Sequence, residues 1–248
     1  MKKLFLTSYF AGTAQLFEQY FVSAEFEKKV VFIPTAANVD EYKKHLAKAQ
    51  NKLAELGFVV EIMDVATASE AAAKEKIEQT KYLYIDGGNT FYLLQELKRK
   101  NLLDLIAKRV SQGMIYIGES AGGMITAPNV EYVQPMDPKE LAPELASYEA
   151  LKLVDFYLLP HEGEFPFAEA VEEIINTYGD KCNLLAINNK QAIIVNGNEV
   201  KKSLGGFNSG NKNLLVVQRD CPLWTIFASK PWIIAGTKLF VANNSHIL

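Results

Sequence analysis

Cysteine is nearly missing from this chain. Only Cys182 and Cys221 occur among 248 residues, far apart and in no CxxC pair. That argues against both a disulfide framework and a cysteine-based zinc site. Histidine is almost as scarce, with His45, His161 and His246 alone. No apolar stretch reaches membrane-spanning length without a charge or a proline. The opening Met1-Lys2-Lys3-Leu4-Phe5-Leu6-Thr7-Ser8 is too short for a signal peptide and lacks its small-residue cleavage site, so it reads as a first strand. Strong charge is absent too. The net charge of −3 implies no polyelectrolyte attraction to nucleic acid or to an anionic membrane. A cytoplasmic protein that binds neither is expected.

What is present is an ordinary globular balance, with 49% apolar and 22% charged residues. The length suits one domain with a sizeable core. Val30-Val31-Phe32-Ile33-Pro34 reads as a buried strand. Asp40 is then expected to cap a helix whose stripe is Tyr42, Leu46, Ala49, Leu53 and Leu56, closed by Gly57. Further strands are expected at Phe58–Met63, Tyr82–Ile85, Met114–Ile117 and Leu153–Leu159. Helices are expected over Ser69–Gln79, Phe91–Lys98, Leu102–Val110 and Phe167–Thr177. Leu184–Ile187, Ala192–Val195 and Glu199–Leu204 read as short strands, with a hairpin turn at Asn196-Gly197. This rhythm predicts an α/β fold: a mostly parallel sheet covered by helices on both faces, with its active site beyond the carboxyl ends of the strands. Residues 1–206 form the expected domain. Residues 207–248 lose the alternation and could add strands or form a subunit contact, including that of a homodimer.

One motif carries chemistry. Gly118-Glu119-Ser120-Ala121-Gly122 follows a buried strand and has the GxSxG form of a nucleophile elbow. A sharp turn there exposes the serine and aims the Ala121 N–H at an oxyanion. Glu119 is expected to be structural or to lie at the rim. A serine hydroxyl needs a base. His45 reads as an ordinary helical histidine among lysines, and His246 as a terminal one. His161 ends a strand and opens a loop, as Ser120 does, and is the candidate base. Gly87-Gly88-Asn89-Thr90 ends another strand, where glycine N–H groups make an anion cradle. The pair is too short for a dinucleotide fingerprint. Asn89 or Thr90 can equally cap the next helix.

At these residues the chain resembles peptidase family S51, the aspartyl dipeptidase or peptidase E group, within the class I glutamine amidotransferase-like superfamily. The matching pieces are Phe32-Ile33-Pro34, Gly87 to Phe91, Tyr116 to Gly122, Leu159-Pro160-His161 and Leu204-Gly205-Gly206. The resemblance implies a Ser–His hydrolase of small peptides, among them Asp-X dipeptides, with no metal or cofactor. It casts Ser120 as nucleophile, His161 as base, and Gly88 with Ala121 as oxyanion donors. It suggests that Asp137, in Pro135-Met136-Asp137-Pro138, contacts the substrate with Asn89; an Asp-Pro turn explains Asp137 as well.

One position departs from that pattern. Where the family has an acid, Ile187-Asn188-Asn189-Lys190 offers Asn189. An amide orients an imidazole without neutralising its positive charge, which predicts a slow hydrolase unless Glu162, Glu164 or Asp137 supplies the charge. Lys139 and Lys190 flank the site. Two other readings stay open: an α/β-hydrolase esterase using His246, and a ligand-binding protein on the same fold.

Overall fold

A computed structural model describes residues 1–41, 43–205 and 215–217. In chain order its regular elements are β1 (Lys3–Thr7), α1 (Ala14–Phe21), β2 (Lys29–Ile33), α2 (Lys44–Glu55), β3 (Val59–Ile62), α3 (Glu70–Gln79), β4 (Tyr82–Ile85), α4 (Thr90–Arg99), α5 (Leu103–Ser111), β5 (Ile115–Glu119), α6 (Ala121–Met124), β6 (Tyr157–Leu159), α7 (Ala168–Tyr178), β7 (Leu184–Ala186), β8 (Gln191–Asn196), β9 (Glu199–Leu204) and β10 (Leu215–Val217). Eight strands form one sheet in the order β10-β9-β8-β1-β5-β4-β2-β3. The pairs from β1 through β5, β4 and β2 to β3 are parallel, and β8, β9 and β10 add on antiparallel. β6 and β7 pair in parallel as a second, small sheet.

The strands are apolar on both sides, and the period of two sorts their residues between two cores. Leu4, Leu6, Val31, Ile33, Leu83 and Ile85 face one core, with α3, α4 and α5 packed over them. Phe5, Val30, Phe32, Tyr82 and Tyr84 face the other, under α1 and α2. Phe5 meets Phe10, Phe17 and Phe21 edge-on there. The result is the expected three-layer α/β sandwich.

Three elements differ from expectation. α2 begins at Lys44 because residues 35–39 wind into a 3-10 turn, and the Asp40 N–H closes that turn on Ala37 O. Tyr42 lies outside the described residues. The strand expected over Leu153–Leu159 is cut to Tyr157–Leu159. Leu153 and Val154 are buried, but their N–H groups bond to Thr126 O in the loop after α6. Their apolar character reflects core burial rather than sheet pairing. α1 was not expected, although Ala14, Phe17 and Phe21 recur at helical spacing; Gly12 and the aromatic run obscure it. Of the final segment, residues 215–217 add the strand β10; Trp232-Ile233-Ile234 lies outside the described residues.

Backbones touch where β5 meets α6. A Cβ on Gly118 would lie 2.5 Å from Gly122 O, and one on Gly122 only 2.0 Å from Ile85 O. The two motif glycines therefore let the elbow seat against β4. Gly122→Ala is expected to cost at least about 3 kcal/mol in urea denaturation, because backbone has to move. Phe17→Ala, which empties a fully buried site among aromatic rings, is expected to cost about 3–5 kcal/mol in the same assay.

Candidate active site

Five strand ends converge. β4 ends in Asp86-Gly87-Gly88, β5 in Glu119-Ser120, β1 in Ser8, β6 leads to His161, and β7 to Asn189. Ser120 leaves β5 at φ 47° and ψ −110°, a conformation that costs a non-glycine residue about 1–3 kcal/mol. The surroundings hold it there. Ser120 N–H bonds to Thr7 O at 2.9 Å, while the Gly123 and Met124 N–H groups both bond to Ser120 O at 2.8 Å.

Ser120 Oγ lies 2.9 Å from His161 Nε2. His161 has φ 66°, and its ring stacks on Phe167 with centroids 4.4 Å apart. Its other nitrogen, Nδ1, meets two oxygens: Ser8 Oγ at 3.0 Å and Asn189 Oδ1 at 3.2 Å. Ser8 Oγ also lies 2.7 Å from Asn189 Oδ1 and 2.9 Å from the His161 backbone N. Simple valence fixes the protons. Asn189 Oδ1 only accepts, so Ser8 gives its single hydrogen to Asn189. Ser8 then accepts from His161 N–H and from Nδ1–H. Nε2 is left bare, facing the Ser120 hydroxyl, which is the tautomer a base requires.

Burial lowers the His161 pKa to about 4, against the raising effects of the Asn189 hydrogen bond and the Glu164 charge. The imidazole is neutral at pH 7 as a result. Glu164 Oε1 accepts from Asn189 N–H at 3.3 Å, so of the three carboxylates considered it is the one tied to this cluster.

The glycine loop is equally fixed. Gly88 sits at φ 133°, and a Cβ there would come within 2.3 Å of the Ala36 carbonyl carbon. Gly87 N–H bonds to Asp86 Oδ1 at 2.7 Å and Asn89 N–H to Ala36 O at 2.9 Å. Among the described residues, Gly88 N–H and Ala121 N–H take no protein acceptor, and Ala121 is the first residue of α6. The Gly87 turn lies against Ser120, since a Cβ there would be 3.2 Å from Ser120 Cβ.

Asn89 and Asp137 sit together at the start of α4. Asn89 Oδ1 caps Tyr92 N–H, and its Nδ2 donates to Pro138 O at 2.9 Å. Asp137 accepts from Thr90 N–H at 2.8 Å, and burial lifts its pKa to about 6. Both side chains thus bind the 135–138 loop to the helix that carries the glycine turn. Lys139 reaches Gln134 Oε1, and Lys190 is exposed. Glu119, expected to be structural or at the rim, is 3% exposed and lies beneath the elbow. His45 is half-buried, with Nε2 3.4 Å from Gly87 O, and His246 lies outside the described residues.

Sequence reasoning missed Ser8 and Phe167. The signal for Ser8 was its place: a small hydroxyl residue just past the first strand, where the sheet's other strand ends carry polar groups. Among the described residues, no three His, Cys, Asp or Glu side chains cluster as metal ligands, and no helix is long and apolar enough to cross a membrane.

Known proteins resemble this chain over most of its length. The chain is 46% identical over 201 residues to an uncharacterized peptidase of Pasteurella multocida, covering 81% of this chain and 96% of that protein. It is 35% identical over 138 residues to a peptidase E of a Shewanella species, covering 56% and 55%. A Listeria monocytogenes protein, whose crystal structure carries a provisional peptidase E name, superposes with a TM-score of 0.78 at 42% identity, covering 82% of this chain and 98% of that one. The sequence profile of peptidase family S51 matches residues 4–203, so the chain belongs to peptidase family S51.

Proposed function

We propose that this peptidase is of the serine type and hydrolyses small peptides, with Asp-X dipeptides the first substrates to try. The observation that carries this reading is the 2.9 Å contact between Ser120 Oγ and a His161 Nε2 whose opposite nitrogen is held by Ser8 and Asn189. In the mechanism, Ser120 Oγ attacks the scissile carbonyl while His161 takes its proton. The Gly88 and Ala121 N–H groups receive the oxyanion. His161 then gives the proton to the leaving amine as the C–N bond breaks. Water, deprotonated by the same imidazole, hydrolyses the acyl-serine and restores Ser120. Ser8 and Asn189 keep the imidazole in register throughout.

The amide at position 189 sets the rate. When His161 accepts the proton, its positive charge faces dipoles, with Glu164 the nearest acidic help. In a Ser–His–Asp enzyme, replacing the acid by an amide costs about 10⁴ in kcat, partly because the amide can favour the wrong tautomer. Here Ser8 supports the correct tautomer, and what is missing is charge. We therefore assign a slow hydrolase.

Incubation with a fluorophosphonate, followed by mass spectrometry, is expected to give one adduct, on Ser120. It should vanish in His161→Ala and persist in His246→Ala. Absence of any adduct on folded protein would favour a ligand-binding role, and loss in His246→Ala alone would favour an esterase.

The pH profile gives a second check. Activity needs neutral His161, so on the acid side kcat/KM should fall as pH drops through about 4. Asn189→Asp adds a negative charge that favours the imidazolium. The acid limb should shift to higher pH, and kcat/KM at neutral pH should rise at least about tenfold, a fraction of the ~10⁴ at stake in the template. An unchanged value in a folded variant would remove Asn189 from this role.

A further inference from the structure

Two buried carboxyl groups lie under the site, and the chemistry above uses neither. Asp86 directly follows β4, and Glu119 is the last residue of β5. The parallel register pairs Ile85 with Gly118, so Asp86 and Glu119 come next to each other at the strand ends. Asp86 is 0% exposed and Glu119 3%. Neither forms an ion pair among the described residues. Glu119 accepts from Tyr84 O–H and from Phe10 N–H, and Asp86 Oδ1 accepts from Gly87 N–H at 2.7 Å.

Two carboxylates placed side by side cannot bond to each other, because neither has a hydrogen to donate. Asp86 Oδ2 is moreover fully buried with no donor on it. Two adjacent, unpaired negative charges here would be costly, whereas a proton on Oδ2 relieves the repulsion and supplies the missing partner. We propose that Asp86 and Glu119 share one proton, carried on Asp86 Oδ2 and donated to Glu119, and that this bond locks the Gly87–Gly88 turn against the nucleophile turn at Ser120. Asp86 holds the Gly87 N–H through its other oxygen, and Glu119 is covalently joined to Ser120, so one hydrogen ties the two loops together. Burial pushes both carboxyls above their ordinary range.

The other titratable groups around the pair are few. Tyr84 lies on β4 itself and is pushed well above 10 by burial. Tyr9, in the turn after β1, adds to that shift. From α2, His45 reaches Gly87 O, and burial lowers its pKa, so it titrates on the acid side. Neither Tyr84 nor His45 mimics the loss of a carboxyl proton in alkali.

The proposal makes Asp86 and Glu119 positioning residues, and two measurements test it. The first is infrared spectroscopy of Ser120→Ala at pH 8, which needs no turnover and so stands apart from the serine-peptidase reading. A protonated-carboxyl C=O band is expected there and should disappear in Ser120→Ala/Asp86→Asn. A missing band, or one that survives the second substitution, overturns the shared proton. The second measurement rests on Ser120 as nucleophile and follows the rate of fluorophosphonate labelling against pH. Asp86→Asn keeps a donor at Oδ2, so its rate at pH 7 should stay within about threefold of wild type, while Asp86→Ala should lose at least about tenfold. The alkaline decline of the wild type should shift to higher pH or vanish in Asp86→Asn, which has no proton to lose there. Full labelling of Asp86→Ala, or an alkaline limb identical in wild type and Asp86→Asn, overturns the lock. If Asp86→Ala does not fold, the infrared pair and the Asp86→Asn profile decide alone.

Discussion

The hydrogen bond from Ser120 N–H to Thr7 O, 2.9 Å long, is the constraint on which the site depends. It is the last rung of the β1–β5 ladder, whose register pairs Thr7 with Glu119. Holding that rung sets Ser120 in its strained turn and brings Ser8 beside it. From Ser8 the network runs to the His161 backbone, its Nδ1 and Asn189 Oδ1. A strained nucleophile is tolerable because an ordinary piece of parallel sheet holds it on one side and α6 on the other.

The base arrives separately. His161 and Asn189 follow β6 and β7, the two strands of the small sheet, and Ile187 N–H bonds to Leu159 O at 2.9 Å to keep their ends level. Ser120 and the glycine turn thus belong to one sheet, His161 and Asn189 to another. The amide's cost is energetic rather than geometric. Asn189 receives the Ser8 hydrogen and meets Nδ1 as a carboxylate would, but it has no charge to offset the imidazolium.

Much of the fold was legible because both cores leave a regular trace. Apolar runs of four or five mark β2, β4 and β5, and the helical stripe marks α2 even with its first turn misplaced. The strand before β6 was read too long because apolar residues also serve burial outside regular strands, as Leu153 and Val154 do. At the site, Ser120 and His161 could be read because their residue types are rare or framed by glycine and fall at strand ends. Asn189 emerged only through family resemblance, since asparagine in a turn is ordinary. Ser8 could not be read from local pattern, because its role depends on partners 153 and 181 positions away. Asp86 and Glu119 look like polar strand ends until the register sets them side by side.

That long-range closure bears on how the protein is made. Ser8 is synthesised before all of α1 to β7, and Asn189 after them. The ribosome therefore releases a nucleophile turn well before the histidine that activates it has a place to sit. Until β6 and β7 dock and Ser8 receives both partners, Ser120 is an ordinary alcohol. On the serine-peptidase reading proposed above, a nascent or truncated chain is born inert, and the appearance of a reactive serine reports that the first strand and the last loop of the site have found each other.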